Sequence, residues 1–155
     1  MEKAVARTEV SLYKDRLEVV FKDVGDWLKG SALDMSREEI TIVEDVTGEY
    51  SVDKLILKKD GQKIAEIIPV GTCILGANGR IDIVGKEDRL ILVDLNEGGP
   101  GVTVSGSGST QVRKFYKGIE SDGWYWIDRS SSRGYKVNED VLKNLISEAS
   151  GYVFE

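Results

Sequence analysis

With 155 residues, 41% of them hydrophobic and 31% charged, the chain has the length of one domain and a globular composition, which excludes pervasive disorder. Its net charge is −6, and it holds one cysteine and no histidine. Those counts exclude an intramolecular disulfide, Ser-His-Asp and Cys-His nucleophiles, histidine-ligated haem, and a zinc site of the usual nitrogen and sulfur ligands within one chain.

Carboxylate chemistry remains, alone or around a hard cation such as Mg²⁺, together with lysine and tyrosine chemistry. No apolar run approaches the ~18 residues that span a bilayer, so no membrane association is expected. The N-terminal stretch MEKAVARTEVSLYKD lacks an apolar signal core, which predicts a cytoplasmic protein. Cys73, between Thr72 and Ile74 with no cation beside it, reads as an inert buried thiol.

In chain order, Val5 to Tyr13 alternates loosely, Lys14-Asp15 is polar, and Leu17, Val19 and Phe21 recur at every second residue. Period-two patterning on both sides of a polar turn predicts a β-hairpin. Val24 to Met35 reads as a short helix begun at Asp26 or, given Gly30, as a turn-rich connection. Ser36 to Glu39 has the letters of a capping box, but the β-branched run Ile40 to Val43 predicts a strand. Thr47-Gly48-Glu49 then turns the chain. Two alternating segments, SVDKLILKK and KIAEII, follow around Asp60-Gly61, a strong hairpin signal. Pro69 is expected to end the second, because proline cannot donate to a ladder.

Lys63 to Asn96 is the densest apolar stretch and is predicted to supply the central strands. After TCIL and the turn Gly76 to Gly79, RIDIV and RLILVDL form a third hairpin across Gly85 to Asp88. Leu90 to Leu95 is apolar on both parities except at Asp94, which places it inside the sheet. Residues 97–110 read as a flexible glycine-rich loop, or as holding a short irregular strand at Val102 to Val104. QVRKFYKGIES is open between helix and strand, and Trp124 to Ile127 pairs with Tyr135 to Val137 across DRSSSRG.

A final helix starts at the N-cap Asn138, with Glu139 and Asp140 in its first turn. Its apolar stripe is Val141, Leu142, Leu145, Ile146 and Ala149, and Gly151 is its stop. The predicted fold is α+β and β-rich: an antiparallel meander, as a bent sheet or open barrel, with one amphipathic C-terminal helix packed on it. Residues 1–155 form a single domain.

Two stretches invite a functional reading. In GRIDIVGKEDRLILVDLN, Asp82 and Asp94 sit on adjoining strands, where two converging carboxylates could hold Mg²⁺ and position water against a phosphodiester. This resembles half of the metal-binding motif of restriction-endonuclease-like nucleases, over about twenty residues. Asn96 stands where that family carries lysine, and Glu66 is the substitute for the glutamate of its preceding helix. The competing reading puts Asp82 and Asp94 on exposed faces of otherwise buried strands.

The second stretch, Gln111 to Val137, carries six cations against three acids and half of the twelve aromatic residues. Basic residues interleaved with rings suit single-stranded nucleic acid, charge meeting phosphate and rings stacking on bases. Alternatively one ring of each pair enters the core and the charges form a solvated face, as an acidic chain of pI 4.9 favours. In that case Trp124 and Trp126 share one side of the strand, and Tyr125 and Ile127 the other. The binding residues singled out are Arg113, Lys114, Tyr116, Trp124, Trp126 and Arg129.

Ser105 to Thr110, SGSGST, lacks the Gly-Lys-Ser/Thr ending of a phosphate loop and reads as a connection. The expected function is a non-enzymatic interaction module acting through residues 111–137, without a cofactor. Its expected partner is a protein, with single-stranded nucleic acid as the alternative. The rival reading is a degenerate divalent-metal-dependent nuclease or phosphodiesterase at Asp82 and Asp94, with Glu66 and Mg²⁺.

Overall fold

The computed structural model describes residues 2–72 and 76–155, with side chains from residue 8 onward. The expectation for Cys73 therefore lies outside the described residues. The chain opens with a helix, α1 (Glu2–Leu28), where the sequence suggested a hairpin. Tyr13, Leu17, Val20, Phe21, Val24 and Leu28 are all buried, at spacings of three and four that put them on one helical face. Leu12 and Val19, which carried the alternation, are exposed. The helix stops at Gly30, whose φ of 88° is open to glycine without strain.

Among the described residues nine strands follow, as β1 (Asp34–Glu44), β2 (Gly48–Lys59), β3 (Gln62–Gly71), β4 (Gly79–Gly85), β5 (Arg89–Leu95), β6 (Gly101–Gly106), β7 (Ser109–Lys114), β8 (Gly123–Asp128) and β9 (Arg133–Lys136). Seven of them make one antiparallel sheet in the order β1-β2-β3-β4-β5-β8-β9. It is an open meander, interrupted only where β6 and β7 leave as a separate two-stranded hairpin. That hairpin occupies most of the expected loop 97–110, and every residue of its two strands is exposed. Asp60 and Gly61 both have positive φ, the requirement of the two-residue turn that their sequence announces. β3 does not stop at Pro69 but runs on opposite Ile81, with the register slipping before Gly71. The ladder to β2 has ended by then at Leu55↔Ile67, so on that flank the missing N–H removes no bond.

The last helix, α2 (Glu139–Ser150), matches the sequence reading. Asn138 caps it through Val141 N at 2.8 Å, Gly151 ends it at φ 78°, and Leu142, Leu145, Ile146 and Ala149 are buried. Both helices lie on one face of the sheet. A Cβ on Gly79 would strike the Tyr13 ring of α1, and one on Gly85 would strike the Ala149 carbonyl of α2. Beneath them, the rows Leu55–Ile67–Ile83–Leu90 and Ile81–Leu92–Trp126 form the core. Among the described residues no helix lies on the opposite face. Among the described residues no helix is long and apolar enough to cross a membrane.

Candidate functional site

Asp82 and Asp94 do not converge. The registers Asp82↔Ile91 and Gly79↔Asp94 place them at opposite parities of the β4–β5 pair, hence on opposite faces of the sheet. Neither is on an exposed face. Asp82 is fully buried on the face without helices, beneath Arg80 (Nε 2.7 Å, Nη2 3.0 Å) and Arg89 (Nη1 2.7 Å). Asp94 is buried under α1, where Arg16 Nε lies 2.9 Å from Oδ2 but outside hydrogen-bond geometry. Burial pushes its pKa up to about 6, Arg16 pulls it down, and Asp122 pushes it up again.

Glu66 shares a face with Asp82 through the pair Glu66↔Val84, but it is held by Lys54 at 2.5 Å and Lys63 at 2.9 Å. The Lys54 contact foremost keeps its carboxyl below the usual range. The two-carboxylate metal site expected from the motif is therefore not assembled, because a one-residue difference in parity sends the acids through the sheet in opposite directions. Among the described residues no three histidine, cysteine or acidic side chains gather where a cation could sit.

The aromatic and basic stretch fares differently. Tyr116, Trp126 and Arg129 line one open cleft of about 560 Å³, together with Arg89, Leu90, Ile91 and Val93 of β5 and Ile127, Asp128, Ser130 and Ser132 around the β8–β9 turn. Strand pairing creates it. β5 and β8 are in register only from Leu95↔Gly123 to Leu92↔Trp126. β8 then continues with β9 as far as Asp128↔Arg133. Past Trp126, where Ile127 and Asp128 pair with β9, no residue of β8 stands in register with Arg89–Ile91, and a notch opens there inside the sheet.

Its walls are mixed. Ile91, Val93 and Ile127 are partly buried apolar groups on the face without helices, and Tyr116, like Val93 and Ile127, packs against the cluster of Leu95, Ile119 and Tyr125. Trp126 comes from the helix side, stacked on Tyr135 at 5.9 Å and 29°, with the Arg133 guanidinium 6.0 Å over Tyr135. Asp128 accepts from Ser130 N (3.1 Å), Ser130 Oγ (2.7 Å) and Ser131 Oγ (3.0 Å), contacts led by Ser130 that hold its carboxyl below the usual range. Arg129 is exposed and makes no ion pair among the described residues.

Three of the six binding residues named from the sequence do not line this cleft. Trp124 is turned into the core, with Nε1 donating to the Arg16 carbonyl at 3.4 Å. Arg113 and Lys114 ride on the exposed strand β7, and Lys114 Nζ donates to the Gly99 carbonyl at 3.3 Å. Trp124 and Trp126 do share a side, and Tyr125 and Ile127 the other. Ser105 to Thr110 is the closed end of the β6–β7 hairpin, with its two turn residues Ser107 and Gly108 at positive φ.

Arg89, Ile91 and Val93 went unnoticed because they lie outside the aromatic segment, before the β6–β7 hairpin in the chain, and only the strand order brings the two together. No protein family, curated protein or solved structure matches the chain.

Proposed function

We propose that the protein is a non-enzymatic binding module that receives a protein partner in the notch between β5 and β8. One observation carries this reading. Tyr116, Trp126 and Arg129, singled out by composition alone, meet Arg89 around a cleft with apolar Ile91, Val93 and Ile127 in its wall and two arginines against Asp128 in its lining, on a chain of net charge −6. The nuclease reading loses support from the same geometry, since its two carboxylates lie on opposite faces and each has an arginine within ion-pair distance.

Selection from a random-peptide display library tests the proposal, run in parallel on the wild type and on Arg129→Glu. Sequences enriched on the wild type and lost on the variant are the expected result. Equal enrichment on both, or none on either, overturns it.

A further inference from the structure

We infer that the β6–β7 hairpin of one copy of the chain docks on a second copy, the outer edge of β7 pairing antiparallel with the free edge of β1. This contact is separate from the notch and stands on other residues. The hairpin itself supplies the first reason. It is detached from the main sheet, and all six residues of each of its strands are exposed. A two-stranded hairpin by itself is marginally stable in water, and a third strand is what makes such a unit hold. Val102, Val104 and Val112, with Phe115 just beyond β7, are 43–63% exposed and would gain cover from one.

Backbone direction supplies the second reason. The two-residue turn Ser107-Gly108 makes Gly106↔Ser109 a hydrogen-bonded pair, and Phe115 N donates to the Pro100 carbonyl at 3.0 Å. The odd-numbered residues of β7 therefore bond β6, and Thr110, Val112 and Lys114 turn their N–H and C=O groups outward. At the far end of the main sheet, the turn Asp60-Gly61 closes on Lys59↔Gln62. By the same alternation, β2 bonds β3 through its odd-numbered residues and β1 through its even-numbered ones. The β1–β2 register is unbroken, so Met35, Arg37, Glu39, Thr41 and Val43 direct their backbone groups away from β2. No described strand lies beside either edge, and β1 has neither the lysine nor the proline that commonly guards one.

Charge selects the occupant. Residues 98–119 carry Arg113, Lys114 and Lys117 and no acid, whereas residues 34–49 carry six acids and one cation, Arg37. Arg37 is already held by Glu18 and Asp53. Glu38 and Glu39 are exposed, and neither they nor Arg113 and Lys114 make an ion pair among the described residues. Two β1 edges brought together would set acid against acid, which disfavours pairing of β1 with itself. Lys114 opposite Glu39 brings Val112 opposite Thr41 and Thr110 opposite Val43, each an outward-facing residue on its own strand. Within one chain β2, β3, β4 and β5 separate the two edges, so the contact joins two copies head to tail.

Sedimentation equilibrium of the full chain tests the contact. The weight-average mass should rise with protein concentration and fall with added salt, and the Thr41 and Val43 amides should gain protection from hydrogen exchange as copies associate. Glu39→Lys and Lys114→Glu should each weaken association about tenfold or more. Mixing the two variants, or placing both changes in one chain, restores the opposite charges and should recover it. Thr41→Pro removes an outward N–H that the β1–β2 ladder does not use, and should leave the chain monomeric. A monomer at every concentration overturns the inference, and so does association unmoved by either charge reversal. Association lost in both single variants but not recovered in the mixture overturns the pairing of β7 with β1. Association that survives Thr41→Pro overturns strand addition.

Discussion

On the face under the helices, Leu55, Leu57, Ile81, Ile83 and Leu92 are no more than 1% exposed, whereas the other face of the same strands carries half-buried Ile56, Glu66, Ile68, Arg80, Val84 and Ile91. Each face also buries one aspartate. Under the helices Asp94 meets a single arginine out of line for a hydrogen bond, and its pKa climbs to about 6. On the face without helices Asp82 receives three hydrogen bonds from two arginines. One face is protected from water by a second layer of secondary structure. The other is protected by long side chains whose apolar stems lie over the sheet while their charged ends pair with its acids.

The largest effect should come from breaking the second layer. Leu145 is buried among the residues of α2 that face the sheet, so Leu145→Asp puts an unpaired carboxylate into an apolar core. A cost of more than about 4 kcal/mol, enough to unfold a marginal domain, is expected. Thermal melting followed by circular dichroism checks it. An unchanged melting temperature would mean that α2 does not pack there.

The opposite face should break through its charges. Replacing Arg80 and Arg89 together by methionine keeps much of their apolar bulk and strands Asp82 beneath them. Urea denaturation should show a loss of about 3–5 kcal/mol, and adding Asp82→Leu should restore most of it, since a buried ion cluster contributes little beyond an apolar substitute. A triple variant no more stable than the double would show that the cluster holds the sheet in some further way.

Asp94 sharpens the comparison through pH. Its folded pKa of about 6 lies above the ordinary 3.8, so the folded chain holds that proton more tightly than the unfolded one. Protonation therefore favours folding. The group's contribution to stability is fully present below about pH 4 and is lost as pH rises through 6. Two units correspond to about 1–3 kcal/mol once relaxation is allowed for. Asp94→Asn should flatten this part of the profile and be more stable than the wild type at about pH 8. A wild-type profile rising between pH 5 and 7 would contradict the geometry around Arg16.

The uneven legibility of the sequence follows from what each signal depends on. Hairpins announced by Asp60-Gly61 or by Gly85 to Asp88 are local, and so is the capped stripe of α2, so a few adjacent residues suffice to specify them. The side of the sheet on which Asp82 and Asp94 emerge depends on the register between two strands, which no short pattern records. The notch is less local still. Tyr116, Trp126 and Arg129 could be picked out by composition, but Arg89 and Ile91 join them only because β6 and β7 leave the sheet and allow β8 to lie on β5.

The smallest effect expected is also the one that separates the two readings of the N-terminus. As a hairpin, the segment would place Val19 beside Leu17 and Phe21 on the buried side of a strand. As α1, it turns Val19 about 100° from its neighbours, and Val19 is 63% exposed while Val20 is 4% exposed. Val19→Ser should therefore change stability by less than about 0.5 kcal/mol, within the range of ordinary surface substitutions. Val20→Ser, one residue on, removes a buried branched side chain and leaves a hydroxyl facing apolar groups, for a cost of about 1–3 kcal/mol. Paired urea melts of the two variants read the helix directly. Equal costs, or a larger one at Val19, would mean that α1 does not present this face to the sheet, and would remove the Arg16 contact that sets Asp94 apart from Asp82.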